Sequence, residues 1–126
     1  MLGKAFSIEM RSSNVSGAII LAASGSLVLE HLVAFQMVWE SHPEPYLILD
    51  VSKLSFIDSA AIGYLVNAYL QREQNGKKLA LAGVSGSAER ILKVTHMTKL
   101  LEMYPSVDEA EASFRRAAAA TMSVSQ

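Results

Sequence analysis

Asp58-Ser59 places a carboxylate directly before a hydroxyl, the pairing in this chain best suited to chemistry. With His96 as a base, the two could be drawn as a hydrolytic triad. That reading needs a strained Gly-x-Ser-x-Gly elbow, and the serine here sits in Ile57-Asp58-Ser59-Ala60-Ala61, so hydrolysis is not supported. His31, His42 and His96 show no metal-ligand spacing. His31 is expected on a helix surface and His42 in a loop. The absence of cysteine removes thiolate catalysis, disulfides and cysteine–zinc sites. Gly83-Val84-Ser85-Gly86-Ser87 could cradle a phosphate, but it lacks the lysine of a P-loop and reads as a strand-to-helix turn. Asp58 is also a good helix N-cap. Ser59 would then be the first helical residue, with its hydroxyl beside unpaired backbone N–H groups.

The elements that must carry these residues follow from the hydrophobic pattern. Residues 5–11 and 17–22 predict an opening hairpin, broken at Gly25. Residues 28–40 predict a helix with Leu32, Phe35 and Trp39 facing the core. Val33, Met37 and Val38 lie off that stripe, so the helix is apolar on more than one face. Tyr46-Leu-Ile-Leu-Asp50 is a continuous apolar run, the pattern of a strand buried on both faces of a parallel sheet. Residues 59–75 predict the clearest helix, through Ile62, Leu65, Val66 and Tyr69, with Gly76 as its C-cap. A strand at 79–82 follows, then a helix from Ser87 to about Val94 and a short edge strand at 100–103. A last helix spans 107–119, acidic first and basic late, as the helix dipole favours. The order β-β-α-β-α-β-α-β-α predicts an α/β fold. Its mixed, mostly parallel sheet opens with a hairpin and is covered by about four helices. One domain over 1–118 is expected, with 119–126 as a flexible tail.

Composition narrows the function classes. The chain has 126 residues, 51% hydrophobic and 18% charged, with a formal net charge of −1. The apolar excess supports a real core and excludes a disordered chain. No basic excess is present to bind nucleic acid, and Lys77-Lys78 and Arg115-Arg116 read as solvated faces. No apolar run approaches the roughly 20 residues of a membrane span, and no leader pattern opens the chain. The expectation is a cytoplasmic binding protein without direct membrane insertion, metal or cofactor.

The stretch from Leu47 to Leu65 resembles the STAS domain, a family named for sulfate transporters and anti-sigma-factor antagonists. In that family a buried strand and a loop lead into apolar-apolar-Asp-Ser-small-small-apolar-Gly at a helix start. Here the motif is Phe56-Ile57-Asp58-Ser59-Ala60-Ala61-Ile62-Gly63. Ser24-Gly25-Ser26-Leu27, Asn75-Gly76-Lys77-Lys78-Leu79, residues 87–101 and Val107-Asp108-Glu109-Ala110 resemble further pieces of the pattern, in order. The likeness covers roughly residues 5–118. It implies an anti-sigma-factor antagonist that binds an anti-sigma serine kinase and is released when its serine, Ser59 here, is phosphorylated. The partner-binding surface implied in this way comprises Ser26, Val28, Asp58, Ser59, Ala60 and Ser85.

Two departures bear on that function. The family's turn carries an acid that helps contact the kinase where this chain has Val28, and Ser-Gly is common where it has Ala60-Ala61. An alternative is therefore a STAS subunit of a bacterial lipid-transport ABC system, or another scaffold without phosphoregulation. A small-ligand site or enzyme at the turns of Gly25, Ser59 and Gly83 is a third reading, without a catalytic constellation behind it. The apolar first helix leaves a partner surface or a homodimer open.

Overall fold

The computed structural model describes residues 6–85, 89, 90, 92, 93 and 101–124. Among the described residues five strands form one sheet in chain order: β1 (Ser7–Ser12), β2 (Ala18–Leu27), β3 (Tyr46–Ile57), β4 (Lys78–Ala82) and β5 (Met103–Tyr104). β1 pairs antiparallel with β2, and the remaining neighbours are parallel. The mixed, mostly parallel sheet opening on a hairpin is the expected architecture. A 3-10 turn, Leu29–His31, leads into α1 (Leu32–Glu40). Among the described residues two further helices are complete: α2 (Ser59–Gln74) and α3 (Val107–Val124). Residues 89, 90, 92 and 93 are helical, while the rest of the expected helix from Ser87 to Val94 lies outside the described residues.

Alternation along the strands divides the core into two layers. Ile19, Leu21, Ala23, Leu47, Leu49, Leu79 and Leu81 face one side. There they meet Phe35 and Trp39 of α1, Ala61, Ile62, Leu65 and Ala68 of α2, and Leu92. Ile20, Ile48, Ala80 and Ala82 face the other side and meet Ala110 and Phe114 of α3. This two-sided burial is why residues 46–49 and 79–82 read as unbroken apolar runs rather than alternating ones. Ala80 and Ala82 keep their side of β4 low, so the Phe114 ring can approach the sheet and stack on Tyr46 with centroids 4.9 Å apart.

Several boundaries differ from the expectation. Gly25 does not end β2. It adopts φ +89° inside the strand, next to a register shift between Gly25 and Ser26, and the ladder with β3 continues to Leu27–Ile57. β3 likewise runs unbroken from Tyr46 to Ile57 where a loop was expected after Asp50. In both cases cross-strand pairing overrides the weak strand preference of Ser, Gly and Lys. The edge strand is Met103–Tyr104, with Leu101 buried just before it. The domain boundary expected at 118 falls inside α3, which is helical through Val124.

Phe114 closes the second layer, so its removal reports directly on α3. Phe114→Ala is expected to cost about 3–5 kcal/mol in urea unfolding, whereas a loss under about 1 kcal/mol would mean that α3 is not anchored there.

Candidate functional site

β2 and β3 outrun β4. Ala82, the last residue of β4, pairs with Asp50, while β3 continues to Ile57. The extension pairs with the end of β2 and is tied further by Ser55 Oγ donating to the Gly25 carbonyl at 3.1 Å. At its tip the Asp58 amide donates to the Leu27 carbonyl at 3.3 Å. The chain then turns into α2, with Asp58 extended at φ −101° and ψ 174° as the N-cap.

The Asp58 carboxylate is a fork. Oδ1 accepts from the Ala61 amide at 2.8 Å, which caps α2. Oδ2 accepts from the Leu29 amide at 3.1 Å, at the start of the turn into α1. Each helix start leaves backbone donors without internal partners, and one side chain serves both starts. The N-cap role expected from sequence is present; the second bond, across to residue 29, was not anticipated.

Ser59 is exposed at the first position of α2. Its hydroxyl has no hydrogen-bond partner among the described residues. From it an exposed line runs down α2 through Gly63 and Asn67, at the i, i+4 spacing that places side chains above one another. A Cβ built at Gly63 would meet nothing within 4 Å among the described residues. No close contact among the described residues calls for this glycine, which costs a helix interior about 1 kcal/mol relative to alanine. Beside this line the first helical segment carries a second one. Leu29, Val33 and Met37 are 67%, 70% and 71% exposed at i, i+4, i+8. The two lines converge at Asp58, which bonds to the backbone of both segments.

Of the residues expected to bind a partner, Ser26, Val28, Asp58, Ser59 and Ala60 are brought together at this tip. Ser26 pairs with Phe56 in the penultimate pair of the ladder, and Val28 is the half-buried residue before the 3-10 turn. Ser85 is exposed but follows the shorter β4, so it stands lower along β3 than Ile57. Gly83, at φ +79°, lies against Ser52, where a Cβ would approach to 2.7 Å of the serine Cβ. The turn of Gly83 thus packs on the side of β3 rather than beside Ser59. Gly86, Ser87 and His96 lie outside the described residues, so the triad has no described base.

His31 is half-buried rather than on a helix surface. Its Nδ1 donates to the Ser26 carbonyl at 2.8 Å, and its ring stacks on Phe6 at 5.5 Å. His42 is in a loop as expected, 3.6 Å from Glu44. Among the described residues no cluster of His, Cys, Asp or Glu could hold a metal. No described helix is long and apolar enough to cross a membrane.

Three polar groups that tie elements of the fold together were missed by sequence reasoning. Arg72 is buried near the end of α2 and donates to the Lys78 carbonyl at 2.9 Å and the Glu44 carbonyl at 2.7 Å. Burial lowers its pKa, and the charge of Glu44 opposes that shift. Its signal was its spacing, since it continues the buried stripe of Ala61, Leu65 and Ala68. Tyr64 accepts a hydrogen bond from the Trp39 indole, joining α2 to α1. Burial pushes the Tyr64 phenol above its usual value despite that bond, which favours the ionised form. Glu111 is buried under the β1–β2 turn and accepts from the Ser13 hydroxyl and the Asn14 amide.

Comparison with known proteins rests on this fold and site. Residues 11–110 match the family model described as the STAS domain. The chain belongs to the STAS domain family. A putative anti-sigma factor antagonist from Thermotoga maritima is 29% identical over 70 residues. That match covers 56% of this chain and 62% of the relative, less than two thirds of its length. The crystal structure of an anti-sigma factor antagonist from Mycobacterium paratuberculosis superposes with a TM-score of 0.74 at 16% identity, covering 88% of this chain and 95% of that one. The anti-sigma factor antagonist SpoIIAA in its unphosphorylated form gives 0.69 at 16% identity, over 88% and 96%. At such identities these two structures establish a shared STAS fold.

The Asp58 fork predicts a graded mutational response. Asp58→Ala, which strips both helix starts of an acceptor, is expected to lower stability by about 1–2 kcal/mol in urea unfolding. Asp58→Asn, which keeps one acceptor oxygen but turns an amide NH2 toward the second backbone N–H, should lose an intermediate amount. Equal losses for the two would show that the cap is not what Asp58 contributes.

Proposed function

We propose that this STAS domain is an anti-sigma-factor antagonist, a binding protein rather than an enzyme, switched by phosphorylation of Ser59. The observation that carries this is the exposed Ser59 hydroxyl, without a described partner, at the end of a helix already capped by Asp58. Phosphorylation adds about −1.5 to −2 charges at neutral pH. A helix N-terminus is favourable to that charge, so the fold tolerates it. A partner docked over the tip meets a bulky dianion beside the Asp58 carboxylate and is released. The Leu29, Val33 and Met37 line offers that partner apolar area, and bare Gly63 lets its backbone come close to α2. The proposed partner is an anti-sigma factor, as the relatives' names suggest, with the serine kinase activity that the resemblance implies, and with that partner the protein would act in the cytoplasm.

Wild type and Ser59→Asp, each tagged, can be used to capture a kinase-fold anti-sigma factor from the native host, with mass spectrometry for identification. The expected result is capture by wild type and at least a tenfold loss with Ser59→Asp, about 1.4 kcal/mol. The variant should melt no lower than wild type, since an acid suits the first helical turn. Equal capture by both proteins, or capture of transporter subunits in place of the anti-sigma factor, would contradict the switch. Gly63→Ala offers an independent check. It should raise stability by about 0.5–1 kcal/mol while weakening capture; unchanged capture would remove Gly63 from the docking surface.

A further inference from the structure

The sheet has two edges, and they are unlike. β5 is 2 residues long, too short to template another strand. β1 is 6 residues long, exposed over most of its length, and among the described residues paired on one side only, with β2. The backbone groups along such an edge invite pairing with another strand, and natural sheets commonly discourage this with charge. The charges on β1 do not discourage it. Its sequence is Ser7-Ile8-Glu9-Met10-Arg11-Ser12, with opposite signs flanking Met10 symmetrically.

We infer that β1 pairs antiparallel with β1 of a second copy of this chain, about a two-fold axis through Met10, to give one continuous sheet. A two-fold axis through a strand residue preserves the antiparallel ladder. In that register Glu9 of each copy stands opposite Arg11 of the other, and Met10 opposite Met10. Directly opposed side chains have Cβ atoms about 4.5–5.5 Å apart, within reach of an ion pair. The side chains present are suited to it. Glu9 has no ion-pair partner among the described residues. Arg11 donates one Nη2–H to Asp50 at 2.7 Å and keeps further donors for a second carboxylate. Met10 is 55% exposed although its register partner, Leu21, is fully buried, and the facing Met10 would cover it. An unrelated strand could use the same backbone groups, but charge complementarity at both ends of the register selects this chain. The interface is small and half ionic, so the dimer is concentration- and salt-dependent.

Sedimentation equilibrium of the full chain over a concentration series tests this without reference to Ser59. Wild type should show a dimer that weakens with added salt. Glu9→Arg and Arg11→Glu should each weaken it about tenfold or more, because each turns two opposed pairs repulsive. Mixing the two single variants should produce a heterodimer of wild-type strength, since one strand then carries two bases and the other two acids. Arg11→Glu also loses the Asp50 contact, so Glu9→Arg, which leaves that contact intact, decides the single-variant arm, with circular dichroism confirming its fold. A chain that stays monomeric at every concentration, or single variants that fail to associate when mixed, would overturn the proposal.

Discussion

The Asp58 carboxylate is the constraint on which this tip of the molecule depends. A carboxylate has two oxygens, and here each closes a different helix start: Ala61 in α2 and Leu29 ahead of α1. The β2–β3 ladder must run to Leu27 and Ile57 for the two starts to lie within reach of one side chain. The long extension of β3 past β4 is therefore what allows the fork to form. Ser55 on the Gly25 carbonyl and the Asp58 amide on the Leu27 carbonyl secure the tip from the backbone side.

The proposed function follows from which groups the fork leaves over. Asp58 is committed to structure, so the neighbouring hydroxyl of Ser59 can be modified without removing a cap. A negative charge there is compatible with the helix and incompatible with a surface pressed over it. In the proposed switch a phosphoryl group on Ser59 would therefore lower binding while leaving the fold in place. The tyrosine–tryptophan bond and the buried guanidinium of Arg72 hold α2 against α1 and β4, so the tip is presented on a rigid support.

Much of this was legible in the sequence. Residues 46–50 and 79–82 betray themselves because both faces of those strands are buried, which leaves no polar positions. Asp58 and Gly76 mark the ends of α2 because cap chemistry is local. The extension of β2 through Ser24, Gly25 and Ser26, and of β3 through Ser52 and Lys53, was not legible. Those residue types have little strand preference, and they are extended because each strand pairs with the other. His31 was misread because a histidine on an amphipathic segment gives no hint of a backbone carbonyl waiting beneath it. Arg72 left a usable trace, a charge on a buried stripe, where a buried charge must have found partners. Glu111 left none, since its partners at Ser13 and Asn14 are far away in the chain.

The most direct test of this account measures folding and binding on the same modified protein. Chain phosphorylated at Ser59 by the proposed anti-sigma kinase should melt at or above the temperature of the unmodified chain, while calorimetry shows its affinity for that kinase reduced at least tenfold. A phosphorylated chain that melts lower and loses affinity only in step with its folded fraction would contradict the account.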